Sequence, residues 1–310
     1  MATVLVTGAK GCIGAWTLRA LLDAGHDAIS LDLLGNLHRL ELVLGDDLAR
    51  VRLVDGDILD ADGLKQIVQD NGVTNLVHLA ALQIPAARAN PTLGAQINVV
   101  GTVNVFEAAR AAGINHVAYA SSIATYNDAM ELEPATLYGI WKLANEGAAR
   151  IYYQDHNISS IAMRPYVVYG LARDTGLTST PTVAMMAAAA GKNYHIPFGG
   201  KMLYHTAKDM GLLFMRSALA TDYESAGVFN PPGEFADTAG IVAAINAVAP
   251  DVTITYDDVI LPFPTAYDTG ALAEAIGAVE VDSIQDGVRE TIEGFKVALA
   301  AGKVELPEAN

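Results

Sequence analysis

Three observations predict an α/β protein: a doubly wound parallel sheet with a smaller C-terminal domain. Short, unbroken apolar runs alternate with helix-length segments through the first half of the chain. A glycine-rich turn separates the first of those runs from the first helix. After about residue 165 the rhythm gives way to short elements punctuated by Gly and Pro. Strands that are apolar along their whole length belong in a parallel sheet covered on both faces. Their regular alternation with helices implies right-handed crossovers.

The elements follow in order. Thr3–Thr7 reads as the first strand and Gly14–Ala24 as the first helix, with Gly25 as its stop. A second strand over Ala28–Leu31 ends at Asp32. Strands over Val51–Val54, Asn75–Leu79, Val117–Ala120 and Ser160–Met163 bracket helices over Asp62–Asn71, Ala95–Ala112 and Ala135–His156. Beyond them, Gly170, Gly176, Pro181, Pro197, Pro231-Pro232, Pro262 and Pro264 mark a loop-rich region. Helices are expected there at Asp209–Ala220, Thr238–Val248, Thr269–Ala275 and Ser283–Ala300. The chain therefore divides at 1–165 and 166–310, with some late elements returning to the first sheet.

Composition narrows the function. The 310 residues carry 19 Lys and Arg against 35 Asp and Glu, a formal charge of −16. Nucleic acid is excluded as a partner, because neutralising phosphates takes clustered cations. An anionic membrane surface is excluded for the same reason. At 52% hydrophobic and 17% charged residues the chain has ample material for a core. The apolar stretch Val183–Ala190 falls far short of the roughly 20 residues a membrane helix needs, and reads as a packed Ala/Met helix. No basic segment precedes the first apolar run. A single cysteine, Cys12, leaves no intrachain disulfide and no multi-cysteine metal site. A cytoplasmic protein without a metal is expected.

The glycine turn reads Thr7-Gly8-Ala9-Lys10-Gly11-Cys12-Ile13-Gly14. Gly8 allows a tight turn, Gly11 lets backbone approach a pyrophosphate, and Gly14 permits close helix–strand packing. The helix behind it would offer free N–H groups and partial positive charge to the phosphates. Asp32, eighteen residues beyond Gly14, stands where a carboxylate binds the adenosine ribose hydroxyls and repels a 2′-phosphate. NAD is therefore favoured over NADP, although Lys10 in the turn could meet an extra phosphate. Tyr138 and Lys142 are four residues apart on a predicted helix and project from one face. A nearby ammonium lowers a phenol's pKa, and such a tyrosine can exchange a proton with an alcohol.

Together these motifs resemble the extended short-chain dehydrogenases/reductases, in the NAD-dependent epimerase/dehydratase group that includes UDP-galactose 4-epimerase. The resemblance covers nearly the whole chain, strongly to about residue 170. It rests on Thr7, Gly8, Gly11 and Gly14, on Asp57-Ile58, on His78-Leu79-Ala80-Ala81, and on Asn98 with Gly101-Thr102. Ser121-Ser122 before Tyr126, and Arg164-Pro165 before Val168-Tyr169-Gly170, complete it. The resemblance implies a Rossmann-type fold, a homodimer and a Ser122–Tyr138–Lys142 triad. In that triad Tyr138 removes the alcohol proton, Lys142 lowers its pKa and holds the nicotinamide ribose, and Ser122 bonds the reacting oxygen. It also implies cofactor contacts at Cys12, Ile13, Asp57, Ile58, Leu79, Ala80, Ala81, Asn98, Pro165 and Val167. The dimer would pair the helices Asn98–Ala112 and Ala135–His156, with Val99, Val103, Phe106 and Ile151 as apolar surface. Substrate contacts are expected from Gln83, Ser122, Ile123, Tyr166, Arg173 and Lys201.

The departures from the group concern the substrate. Val167 stands where sugar-nucleotide members carry Asn, Leu171 replaces a Pro, and Asn127 replaces a Gly. The late region that usually bears a diphosphate-clamping Arg reads Asp257-Asp258-Val259-Ile260-Leu261-Pro262-Phe263-Pro264. The leading reading is thus a dehydrogenase or reductase acting on a small hydroxylated substrate. The alternatives are an epimerase or dehydratase that returns the hydride, and a non-catalytic NAD sensor on the same fold.

Overall fold

The computed structural model describes residues 1–176 and 178–306. Seven parallel strands form the central sheet: β1 (Thr3–Thr7), β2 (Asp27–Asp32), β3 (Arg52–Asp55), β4 (Asn75–His78), β5 (His116–Ala120), β6 (Ser159–Met163) and a late strand (Ala226–Phe229). Beside β1 lie β2 on one side and β4 on the other, in register Thr3↔Asp27 and Val4↔Asn75. The order of winding reverses between β1 and β4, so their carboxyl ends part to leave a crevice. The inner strands β1, β2, β4, β5 and β6 are buried along most of their length, which is why the sequence reads there as solid apolar runs rather than alternation, whereas the edge strand β3 is largely exposed.

Helices cover both faces. On one lie α1 (Cys12–Asp23) and α2 (His38–Leu44), whose Leu18, Leu21 and Leu40 pack with Val4, Val6 and Val77. On the other lies α3 (Ala61–Asp70), followed in the chain by α4 (Ile84–Ala89). The expected helix Ala95–Ala112 runs instead as α5 (Pro91–Ala95), one π turn (Gln96–Val100) and α6 (Gly101–Ala111). Next comes α7 (Leu137–His156), the longest helix. Phe106, expected on the dimer surface, is fully buried instead, stacked on Tyr152 of α7 and edge-on to Tyr119 of β5.

The second lobe has its own core around Met185, Phe198, Tyr204, Ile245 and Ile292. It is built from β7 (Val167–Tyr169), α8 (Thr180–Ala189), β8 (Tyr194–Ile196) and β9 (Lys201–Thr206). The chain then returns to the first sheet with α9 (Ala207–Leu219), which packs on α1, and with the Ala226–Phe229 strand, β10, beside β6. It leaves again as β11 (Glu234–Asp237), α10 (Thr238–Val248), β12 (Ile254–Tyr256), α11 (Leu272–Ile276) and α12 (Ile284–Ala300). Strands β11, β9 and β7 pair side by side, and β8 pairs with β12. No helix among the described residues is long and apolar enough to cross a membrane.

Candidate active site

The crevice between β1 and β4 is floored by the glycine turn. Gly8 has φ +69°, and a methyl group there would fall 2.5 Å from the backbone nitrogen of Ala80. Only glycine lets the chain leave β1 so close to the segment following β4. Gly11 is the residue before α1, and no side chain caps that helix. The first-turn N–H groups therefore remain for an anion, as a pyrophosphate requires.

Asp32 is held at the end of β2, its Oδ2 accepting from the Lys10 N–H at 2.9 Å and its Oδ1 from the Leu33 N–H at 2.9 Å. The Lys10 ammonium is already engaged, donating to the Leu33 carbonyl at 2.7 Å and to Asp55 at 3.2 Å. It is thus not a free cation waiting for a 2′-phosphate. With the uncapped helix and the glycine cradle, these residues fit NAD.

The β4 end is braced from beneath. His78 is buried with Thr7 Oγ1 2.7 Å from Nδ1 and Thr102 Oγ1 3.0 Å from Nε2. Burial and the Lys142 charge push its pKa down to about 3, so it stays neutral. Asn98, in the π turn, is also buried, and it grips the backbone of Leu82 from both sides. Its Oδ1 accepts from the Leu82 N–H at 2.8 Å and its Nδ2 donates to the Leu82 carbonyl at 2.9 Å. Asn98 therefore shapes the wall Leu79–Gln83 without lining the cleft. Asp57 is exposed and its Oδ1 accepts from the Leu59 N–H at 2.9 Å, while Ile58 is buried against Gly101; neither lines the cleft.

Ser122 follows β5, with its Oγ accepting from the Ala124 N–H at 3.1 Å. Thr136 caps α7 by accepting from the Gly139 N–H at 3.1 Å. A methyl group on Gly139 would lie 2.0 Å from the Ala124 carbonyl oxygen, so α7 presses directly on the turn that carries Ser122. That approach brings Ser122 and Tyr138 to one wall of the cleft. Lys142 is almost wholly buried and its Nζ donates to the Ala120 carbonyl at 2.6 Å, 5.7 Å from the Tyr138 ring centre.

The electrostatics depart from expectation. Burial pushes the Tyr138 phenol up, and it is the Ser122 hydroxyl and the Arg173 charge that draw it back down. Lys142 is itself lowered to about 8 by burial, against the pull of Glu146. Its ammonium is directed at the Ala120 carbonyl and makes no hydrogen bond to the phenol among the described residues. Beneath lies a buried ion pair. Arg164 Nε and Nη2 donate to the two Glu146 carboxylate oxygens at 2.8 and 2.6 Å, and Ser121 hydrogen-bonds the same carboxylate.

One cleft gathers Gly8, Gly11, Cys12, Ile13, Gly14, Leu79, Ala81, Gln83, Ser122, Ile123, Tyr138, Lys142, Pro165, Tyr166 and Arg173. Val167 is not among its lining. It is fully buried in the second-lobe core, and Val168 lines the cleft in its place. Lys201 is also absent from the wall, its ammonium lying 5.4 Å over the Phe235 ring. His195 pairs with exposed Asp257 at 3.2 Å, and His205 is buried against the Pro232 carbonyl at 2.8 Å. Neither lines the cleft, nor do Asp257 and Asp258.

Sequence reasoning missed Ile84, Pro85, Thr178 and Phe263 as lining residues. For Phe263 a signal existed: a large aromatic between two prolines cannot belong to a strand or helix core. At the substrate end Phe263 meets Tyr166 edge-on at 5.6 Å, and the Tyr166 hydroxyl donates to the Pro264 carbonyl at 3.0 Å.

The sequence model of the NAD dependent epimerase/dehydratase family matches residues 4–205. The UDP-glucose 4-epimerase of Mycolicibacterium smegmatis is 32% identical over 203 residues, 61% of this chain and 64% of that protein. The chain thus spans less than two thirds of that relative's length. Among solved structures, a partial-consensus L-threonine 3-dehydrogenase superposes with a TM-score of 0.82 at 23% identity, covering 96% of this chain and 99% of that one. The UDP-N-acetylglucosamine 4-epimerase of Methanobrevibacter ruminantium gives 0.82 at 23% identity over 95% and 98%. At such identity these two likenesses are of fold.

Proposed function

Because the chain belongs to the NAD dependent epimerase/dehydratase family its cofactor is NAD, and we propose that it oxidises a secondary alcohol of a small, sugar-like substrate. The observation that carries the reading is the convergence of Ser122, Tyr138 and Lys142 on the cleft that the glycine turn floors. When bound, NAD supplies the acceptor for the hydride that leaves the alcohol carbon. Tyr138, acting as phenolate, takes the hydroxyl proton, Ser122 donates to the oxygen as charge develops on it, and Lys142 holds the ribose beside both. Residues 1–165 bind the cofactor and residues 166–310 mainly form the substrate side. Asp32 selects NAD over NADP, since its carboxylate faces the ribose position while Lys10 is already paired.

A substrate without a nucleotide is supported by the wall itself. Its only cations are Lys142 and Arg173, and its far end is the aromatic pair Tyr166–Phe263. A diphosphate asks for more charge-assisted donors than that. The second reading, an epimerase that recycles NAD, draws on the curated relative, which is a UDP-glucose 4-epimerase. Purified protein with NAD, followed at the NADH absorbance on sugars, sugar acids and UDP-sugars, separates them. Lasting NADH with a nucleotide-free substrate supports the dehydrogenase; interconversion of a UDP-sugar without NADH accumulation overturns it.

The proposal extends to a cytoplasmic homodimer. Val100, Ile140 and Ile151 expose apolar surface on the π turn and α7, where a partner copy would pair helices into a bundle. Light scattering at micromolar concentration checks the state, and a monomer refutes it.

A further inference from the structure

Two arginines stand beside the cleft, Arg164 buried and Arg173 half-buried, and they are treated differently. Arg164 has a carboxylate against its guanidinium, bidentate from Glu146. Arg173 has none among the described residues. Its neighbour Asp174 is turned away, accepting from Arg39 at 2.7 Å and lying 3.0 Å from the His38 ring. The Arg173 side chain makes one long hydrogen bond, Nη2 to Thr178 Oγ1 at 3.4 Å, and its buried Nε has no partner. Burial lowers its pKa, yet a guanidinium does not give up its proton near neutral pH. A desolvated cation without a counter-charge is costly, and a ligand that supplies the charge recovers that cost.

The surroundings specify what kind of ligand. The cleft wall contains no Asp or Glu, in a chain of net charge −16. Gln83 and Arg173 bring their polar ends together over Gly176. A methyl group there would fall 2.8 Å from Gln83 Oε1, and 2.9 and 3.1 Å from the Arg173 Nη2 and Nη1 atoms. Gly176, at φ +109°, leaves the space in front of that fork open. The planar guanidinium fork with the Thr178 hydroxyl beside it matches a planar carboxylate, donor to acceptor, and Gln83 joins it once its amide is turned to present Nε2.

Building on the alcohol oxidation argued above, we propose that Arg173, with Gln83 and Thr178, binds a carboxylate on the substrate. The substrate is then a hydroxy acid of the sugar-acid class, not a neutral sugar. The same guanidinium could instead reach the cofactor's pyrophosphate, since Arg173 lines the same cleft as Cys12, the first residue of α1. The two roles have opposite signatures.

The test compares wild type with Arg173→Met and Arg173→Lys. The substrates are hexuronates and aldonates, set against the parent aldoses, the uronate methyl esters and hexose 6-phosphates. Wild type is expected to favour the acids over their neutral counterparts by roughly 100-fold in kcat/KM. Arg173→Met should remove that preference, chiefly through KM, while NAD affinity stays within about twofold. Arg173→Lys should restore part of it.

Weakened NAD binding with unchanged acid preference would assign Arg173 to the pyrophosphate and overturn the proposal. Equal use of esters and acids, or preference for the 6-phosphates, overturns it too. Calorimetric titration of the acids into NAD-loaded Tyr138→Phe protein reads the carboxylate site without turnover. Binding there that is lost on adding Arg173→Met supports the site even if alcohol oxidation fails, and no binding by any acid refutes it.

Discussion

The two walls of the cleft are made of different material. The wall from the sheet lobe is largely backbone: the turn Gly8–Gly14 and the strand-end segment Leu79–Ala81. The wall from the second lobe is side chain: Tyr166, Arg173, Thr178 and Phe263. A backbone wall recognises what is common to many ligands, such as phosphate and ribose, and tolerates few substitutions. A side-chain wall can be rewritten residue by residue without disturbing a strand. On the function proposed above, the difference gives cofactor binding to the sheet lobe and substrate choice to the other.

The strongest break would come at the junction of the two. Tyr138→Phe removes one hydroxyl and should lower turnover by about 10²–10⁴-fold, with NAD affinity nearly unchanged by fluorescence titration. Retained turnover would show that the walls merely meet at Tyr138 and do not react there. Next is the buried pair beneath. Arg164→Met strands the Glu146 carboxylate and should cost about 3–5 kcal/mol in urea unfolding. Arg173→Met in the other wall leaves no such orphan, so its ligand-free stability should change little or rise. A large loss there would mean Arg173 is structural.

Gly139→Ala pushes a methyl group toward the Ala124 carbonyl and should cost about 1–3 kcal/mol by thermal unfolding. It should also reduce turnover more than NAD affinity, because it separates Ser122 from Tyr138. Asp32→Ala removes a charged acceptor, worth about 1.5–3 kcal/mol to a hydrogen-bonded ribose, and should reduce NAD affinity about 10- to 150-fold while narrowing the gap to NADP.

The smallest effect sharpens the comparison by pH. Each lobe holds a neutral buried histidine: His78 lowered to about 3 and His205 lowered to about 4. The unfolded chain binds protons near 6.5 and the folded one does not, so stability is full above 6.5 and falls as the pH drops toward those values. His205→Gln should flatten the part between 6.5 and 4, and His78→Gln should flatten the same part and carry on down to about 3. Urea midpoints across pH 3–7.5 check both.

How much was legible follows from the same division. Strands β1 to β6 lie within a residue or so of the apolar runs, because in all but the edge strand β3 burial on both faces leaves no alternation to misread. Glycine spacing and the Tyr138–Lys142 interval are local, so they survive as pattern. The second lobe depends on register. Val167 pairs with Tyr204 in β9, and a three-residue strand gives no way to tell which of two adjacent valines faces the cleft. Lys201 opens β9, and only the neighbouring strand reveals Phe235 beneath its ammonium. Phe106 keeps helical spacing with Val99 and Val103, but its partners Tyr119 and Tyr152 are distant in sequence. The direction of the Lys142 ammonium likewise depends on where the Ala120 carbonyl stands.

The π turn at Gln96–Val100 carries a consequence for how the sequence can drift. Such a turn holds one residue more than an ordinary helical turn. Deleting a residue within it would close the turn to an ordinary α-helical one, leaving the flanking parts almost unrotated but moving the residues of the turn itself. Asn98 could then no longer keep both its bond to Leu82 and its place under Asn145, whose Nδ2 donates to the Asn98 carbonyl at 2.7 Å. A one-residue gap, usually harmless near a helix start, would here slacken the cofactor wall from behind. At this place in the chain, length is held more tightly than identity.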